Sequence, residues 1–177
     1  MKKIISLVLS LTVISGVCAA VLAYVDSITK DPIAQMKVKQ EQAAVKAVLP
    51  ACGESGKLKV EKSNGSEGVY VGSVDGQVIG YAAKGKDEQG YGGDIVLMVG
   101  FKADKKTVVC YKTLTASETP GLGMKLKTPE FADQFAGKDG RSLSVRKDGG
   151  VIEAITSATI TSRAVCRAVA DAQKKLK

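Results

Sequence analysis

The sequence predicts an α+β fold: a single N-terminal transmembrane helix followed by a mostly antiparallel sheet flanked by helices. Three observations carry this expectation. An uncharged run opens the chain, from Ile4 to Val25, directly after Lys2 and Lys3. Short β-prone pieces separated by turn residues fill the stretch from Lys57 to Thr115. Helix-forming segments lie on either side of that stretch, from Pro32 to Leu49 and from about Ser162 onward. With 177 residues, 45% hydrophobic and 25% charged, the chain suits one well-cored domain behind its span. The expected divisions are a cytoplasmic N-terminus (1–3), an anchor (4–25), a linker with an amphipathic helix (26–56) and an extracytoplasmic domain (57–177).

Each element has its own warrant. The 22 residues from Ile4 to Val25, at about 1.5 Å each, cross a hydrocarbon core of about 30 Å. A secretory signal has a shorter apolar region of about 7–15 residues. An uncleaved anchor is therefore expected, with cleavage near Ala20 or Ala23 as the alternative. Lys2 and Lys3 favour an N-terminus kept in the cytoplasm, against the weaker competition of Lys30, Lys37 and Lys39 beyond the span. Asp31-Pro32 has the form of a helix opening, an acid at the cap and proline in the first turn. The amphipathic segment that follows carries Ile33, Met36, Val38, Val45, Val48 and Leu49 and stops at Pro50.

LKVE, GVYVGSV, QVIGYAAKG, DIVLMVGF and TVVCYKTLT then read as strands, with Asn64-Gly65 and Asp75-Gly76 as hairpin turns. PEFADQFAG is a helical patch, and Ile152–Ile155 a β-branched strand leading into a last helix capped by Thr161 or Ser162.

Several chemistries are excluded. Without histidine the chain holds no Ser–His–Asp triad and no His-ligated zinc or haem. Cys18, Cys52, Cys110 and Cys166 never form a CxxC pair, so no iron–sulfur cluster and no metal site is expected from this chain alone. At most one disulfide can join two of Cys52, Cys110 and Cys166, and the sequence does not choose which. Phosphate-binding glycine loops of the nucleotide-binding kinds are absent. The formal charge of +8 comes from scattered lysines without interleaved aromatics, so no nucleic-acid partner is expected.

Two segments carry chemistry. In ASETPGLGMKL, Pro120 and Gly121 suit a tight turn, and the glycines let backbone amides approach a planar or anionic ligand. In EAITSATITSRAV, Thr156, Ser157, Thr159, Thr161 and Ser162 crowd ahead of the last helix. A helix N-terminus welcomes phosphate, and a threonine hydroxyl can hold one as an ester if a separate enzyme performs the transfer.

EAITSATITSRAV resembles the flavinylation motif of FMN-binding domains, D-x-x-[ST]-G-A-[TS], and GYGGDIVLMVGF and SETPGLG resemble two further hallmarks of that family in the same order. Within it the chain is most similar to the G subunits of Rnf electron transport complexes. The resemblance implies FMN attached through its phosphate to Thr159 by an extracytoplasmic flavin transferase that uses FAD and a divalent metal. Thr156, Ser157 and Ala158 would precede that acceptor, with Thr161 as the fallback. Glu118, Thr119, Gly121 and Leu122 would lie nearest the isoalloxazine ring. Glu153 stands where the family has aspartate, and Ser157 where it has glycine.

The implied function is electron relay, without a catalytic residue of its own, in a membrane complex that couples transfer between ferredoxin and NAD to ion movement. The implied partners are the other membrane and cluster-binding subunits, the transferase and membrane lipid. The alternatives are a flavinylated subunit of a sodium-pumping NADH:quinone reductase or another respiratory flavoprotein, and an anchored, non-redox binding module.

Overall fold

The computed structural model describes residues 2–49, 58–63 and 68–177. The chain forms two compact units, Met1–Gln40 and Glu41–Lys177. Helix α1, Lys2–Val48, is the one helix among the described residues long and apolar enough to cross a membrane. It continues through Pro32, so the expected opening at Asp31-Pro32 is not a helix start. Proline removes one backbone bond and crowds the preceding turn, but the hydrogen bonds on both sides carry the helix on. Ser27 and Thr29 add bonds to the carbonyls of Tyr24 (2.7 Å) and Val25 (2.8 Å) just before it. The amphipathic segment is buried only at its end: Ala44, Val45, Val48 and Leu49 pack inward, whereas Ile33, Met36 and Val38 are exposed.

The second unit is a five-stranded antiparallel meander in the order β1-β2-β3-β4-β5. Its strands are β1 Lys59–Lys62, β2 Val69–Val74, β3 Gln77–Gly90, β4 Gly93–Lys102 and β5 Val108–Thr115. All five predicted strand segments are present. The β2–β3 turn is the expected Asp75-Gly76, with both residues at positive φ (50° and 82°), as a two-residue hairpin closed by the Val74–Gln77 pair requires. Asn64-Gly65 and Cys52 fall outside the described residues.

Alternation along β4 sorts its side chains between two cores. Ile95, Leu97, Val99 and Phe101 face the larger core with Ala83, while Met98 faces a smaller one with Ala82, Val45, Val48 and Leu49. Helix α3, Thr159–Lys174, contributes Ala164, Val165, Ala168, Val169 and Ala172 to the larger core. The patch at PEFADQFAG is a short helix α2, Pro129–Ala132, running into a 3-10 turn, Asp133–Phe135.

Ile152–Ile155 does not join the sheet, contrary to expectation. Val145 and Ile152 form one isolated parallel bridge, and a 3-10 turn spans Arg146–Asp148 between them. The Gln134 side chain substitutes for a neighbouring strand. Its Oε1 accepts from the Glu153 amide (2.7 Å), and its Nε2 donates to the Glu153 carbonyl (3.4 Å).

Burial pushes the Cys166 thiol up to about 12 and the Tyr111 phenol upward, and burial with the neighbouring Glu41 carboxylate pushes Tyr70 up to about 12. A group whose folded pKa is raised contributes stability that is complete below its unfolded pKa and lost as pH rises through the folded one. Melting temperature is therefore expected to fall progressively from about pH 9 to about pH 12, followed by circular dichroism. A Cys166→Ala variant should lose less across that window.

Candidate functional site

The two chemistry-bearing segments meet at one corner of the second unit, and a buried carboxylate joins them. Glu118 is 6% exposed. Its Oε2 accepts from the Thr161 hydroxyl (2.8 Å) and its Oε1 from the Gly92 amide (3.3 Å). It thus ties the loop after β5 to the first turn of α3 and to the β3–β4 hairpin tip. Gly123 packs on the same point: a Cβ there would lie 2.6 Å from Glu118 Oε2 and 2.9 Å from Thr161 Oγ1. Burying a carboxylate is costly unless hydrogen bonds replace water, so Glu118 fixes the relative placement of all three segments.

The Pro120-Gly121 turn is as predicted. The Thr119 carbonyl accepts from the Leu122 amide (3.2 Å) and Gly121 has φ 75°, the geometry proline and glycine favour in a tight turn. Thr119, Gly121 and Leu122 are all exposed at this corner. Of the residues expected near a ring, Glu118 alone is inside, with its carboxylate turned into the protein.

The five hydroxyls of the last segment divide sharply. Ser162 is fully buried. Its Oγ accepts from the Ile155 amide (3.0 Å) and donates to the Ala158 carbonyl (3.0 Å). Thr161 is 1% exposed and engaged with Glu118. These two inward bonds pull the helix start back to Thr159, with buried Ala158 at the cap position and no side-chain cap. The expected capping by Thr161 or Ser162 is therefore corrected, because both lie inside the first turn. Thr161 is also corrected as the fallback acceptor, since its hydroxyl is sealed from any transferring enzyme.

Thr156 and Ser157 are exposed on the preceding turn, where Ser157 takes φ 61°. That is the left-handed conformation in which glycine is unstrained. Thr159 is half-buried, stands first in the 16-residue helix, and makes no side-chain hydrogen bond among the described residues.

The surroundings are fixed by ion pairs. Arg163 grips Asp148 with two bonds (2.7 and 2.6 Å) and holds its carboxyl below the ordinary range. Glu153 pairs with Arg146 at 3.3 Å, with both side chains exposed. An open cleft of about 480 Å³ lies along β3 and α3, lined by Lys86, Asp87, Glu88, Gln89, Arg167 and Asp171. Its cations are already engaged, Arg167 with Asp87 (2.7 Å) and Lys86 with Glu88 and Asp94 (2.9 and 2.8 Å).

Sequence reasoning did not foresee the tie made by Glu118, nor the part of Gly92 and Gly123 in it. The sequence signal was slight: an acid beside a turn, and glycines without an evident reason.

Comparison with known proteins agrees with this geometry. The FMN-binding domain model matches residues 90–174, which include the hairpin tip, the Pro-Gly turn and the start of α3. The G subunit of the ion-translocating oxidoreductase complex of Methanosarcina acetivorans is 33% identical over 173 residues, covering 95% of this chain and 92% of that protein. The G subunit of the Na(+)-translocating ferredoxin:NAD(+) oxidoreductase complex of Acetobacterium woodii is 32% identical, with 95% and 89% covered. The crystal structure of Shewanella oneidensis NqrC shares the fold at a TM-score of 0.50 and 20% identity, covering 73% of this chain and 66% of that one. The chain belongs to the FMN-binding domain family, among the G subunits of ion-translocating oxidoreductase complexes.

Proposed function

We propose that this protein is an electron-carrying subunit of a membrane complex that couples electron transfer between ferredoxin and NAD to ion translocation. Residues 4–25 anchor it in a single pass, and residues 57–177 lie on the extracytoplasmic side. Its redox group is FMN, esterified through the phosphate to Thr159. The reading as a subunit of a sodium-pumping NADH:quinone reductase is supported only by likeness of fold.

One observation carries the assignment of the acceptor. Among the five clustered hydroxyls, Thr159 alone combines an unengaged oxygen with the first position of a helix. The site also fits the group. A phosphodiester at Thr159 retains one negative charge at the uncapped, positive end of α3. The adjoining corner offers exposed backbone at Gly121 and an exposed Leu122 to a flat, largely apolar ring.

The attachment balances with FAD as donor. The Thr159 oxygen attacks the flavin-side phosphorus, the pyrophosphate P–O bond to AMP breaks, AMP leaves, and the hydroxyl proton passes to solvent or to the transferase. When bound, the flavin accepts and passes on electrons singly or in pairs. The chain's own part is positional. Glu118 holds the three segments together, Ser162 fixes the turn that presents Thr159, and Ala158 buries the near side of the helix start.

Full-length protein made alongside a flavin transferase is expected to show yellow-green fluorescence that survives denaturing electrophoresis. A colourless band under those conditions contradicts the assignment.

A further inference from the structure

We propose that Tyr91 is the stacking partner of the flavin ring, with Leu122 and Ile160 flanking it. This rests on the flavin reading above. The hairpin tip between β3 and β4 reads Gly90-Tyr91-Gly92-Gly93, so four residues carry a single side chain. Its backbone is pressed onto the loop after β5. A Cβ at Gly90 would lie 2.8 Å from Glu118 Oε1, and one at Gly92 would collide with the Ser117 carbonyl. The tip is thus a fixed platform, and the one side chain it bears is a tyrosine 71% exposed to solvent.

An aromatic residue held out on such a platform has buried none of its apolar faces. Among the described residues of the second unit, the other exposed large apolar side chains are Val78, Leu122, Val151 and Ile160. Tyr91, Leu122 and Ile160 each adjoin a residue packed on or bonded to Glu118: Gly92, Gly123 and Thr161 respectively. Ile160 also follows Thr159 directly. Three apolar side chains on three segments therefore gather where a ring tethered at Thr159 must settle. The neighbouring cleft is lined by ion pairs and offers no comparable apolar wall.

A phenol against the ring lends an electron to the photoexcited flavin and takes it back, which quenches emission. A phenyl group is too hard to oxidise to do so. The test compares native, full-length flavinylated protein with its Tyr91→Phe and Tyr91→Leu variants at equal flavin content. Tyr91→Phe should raise flavin emission several-fold while leaving the visible circular dichroism of the ring unchanged. Tyr91→Leu should raise emission and also weaken that band.

Unchanged emission in Tyr91→Phe overturns the stacking proposal, whatever Tyr91→Leu does, and points to a protein partner for this side chain. Absence of flavin from the wild-type chain overturns the flavin reading itself, and the stacking proposal falls with it.

Discussion

Thr159→Ala removes the covalent flavin completely. The substitution leaves the backbone free to remain helical, since alanine is the best helix former and Thr159 caps nothing. Folding stability should therefore stay within about 0.5 kcal/mol of wild type, and the lost chromophore cannot be blamed on misfolding. Thr161→Val is the matching control. It keeps shape but deletes the hydroxyl that donates to Glu118 at 2.8 Å, leaving the buried carboxylate short of a partner. That costs about 1–3 kcal/mol yet should leave flavin attached. Fluorescence in a denaturing gel and thermal melting on the same samples separate the two effects. Flavin retained in Thr159→Ala, or lost in a folded Thr161→Val, refutes the division of hydroxyls described above.

Phe135→Ala should be among the most destabilising single truncations in the second unit. Phe135 is fully buried where two other rings meet it edge-on, Tyr111 with centroids 5.3 Å away and Phe131 at 5.5 Å. Emptying such a site costs about 3–5 kcal/mol, against a total for a domain of about 5–15 kcal/mol. The consequence reaches the candidate site. Tyr111 donates its hydroxyl to the Leu126 carbonyl at 2.5 Å, and Leu126 lies in the 3-10 turn Gly123–Lys127 that continues from the Pro-Gly turn. Urea midpoints converted with a shared slope measure the loss. A change below about 1 kcal/mol would mean that the three rings are not packed as described.

The strands were legible because alternation and turn chemistry agree. DIVLMVGF presents odd and even positions to different cores, and Asp75-Gly76 can take the two positive φ values a tight hairpin needs. Residues 144–155 were not legible. Their β-branched composition matches a strand, but a glutamine side chain and one isolated bridge take up backbone groups that a strand would offer a neighbour. Propensity is a local quantity, and the partner is not local.

The helix start shifted for a similar reason. Ser162 suits a cap by type, yet its hydroxyl is committed inward to Ile155 and Ala158. Sequence located the hydroxyl cluster and the Pro-Gly turn. Only the fold distinguished the two hydroxyls that build the corner from the one left at the helix start, because that depends on a carboxylate 43 residues from Thr161 along the chain.

The most direct measurement uses the native protein purified from its own membrane and digested with trypsin. The peptide from Asp148 to Arg163 holds the whole hydroxyl cluster. Its mass should exceed the unmodified value by one FMN less one water, with fragment ions placing the addition on Thr159. An unmodified peptide, or the addition on any other hydroxyl, contradicts the central claim.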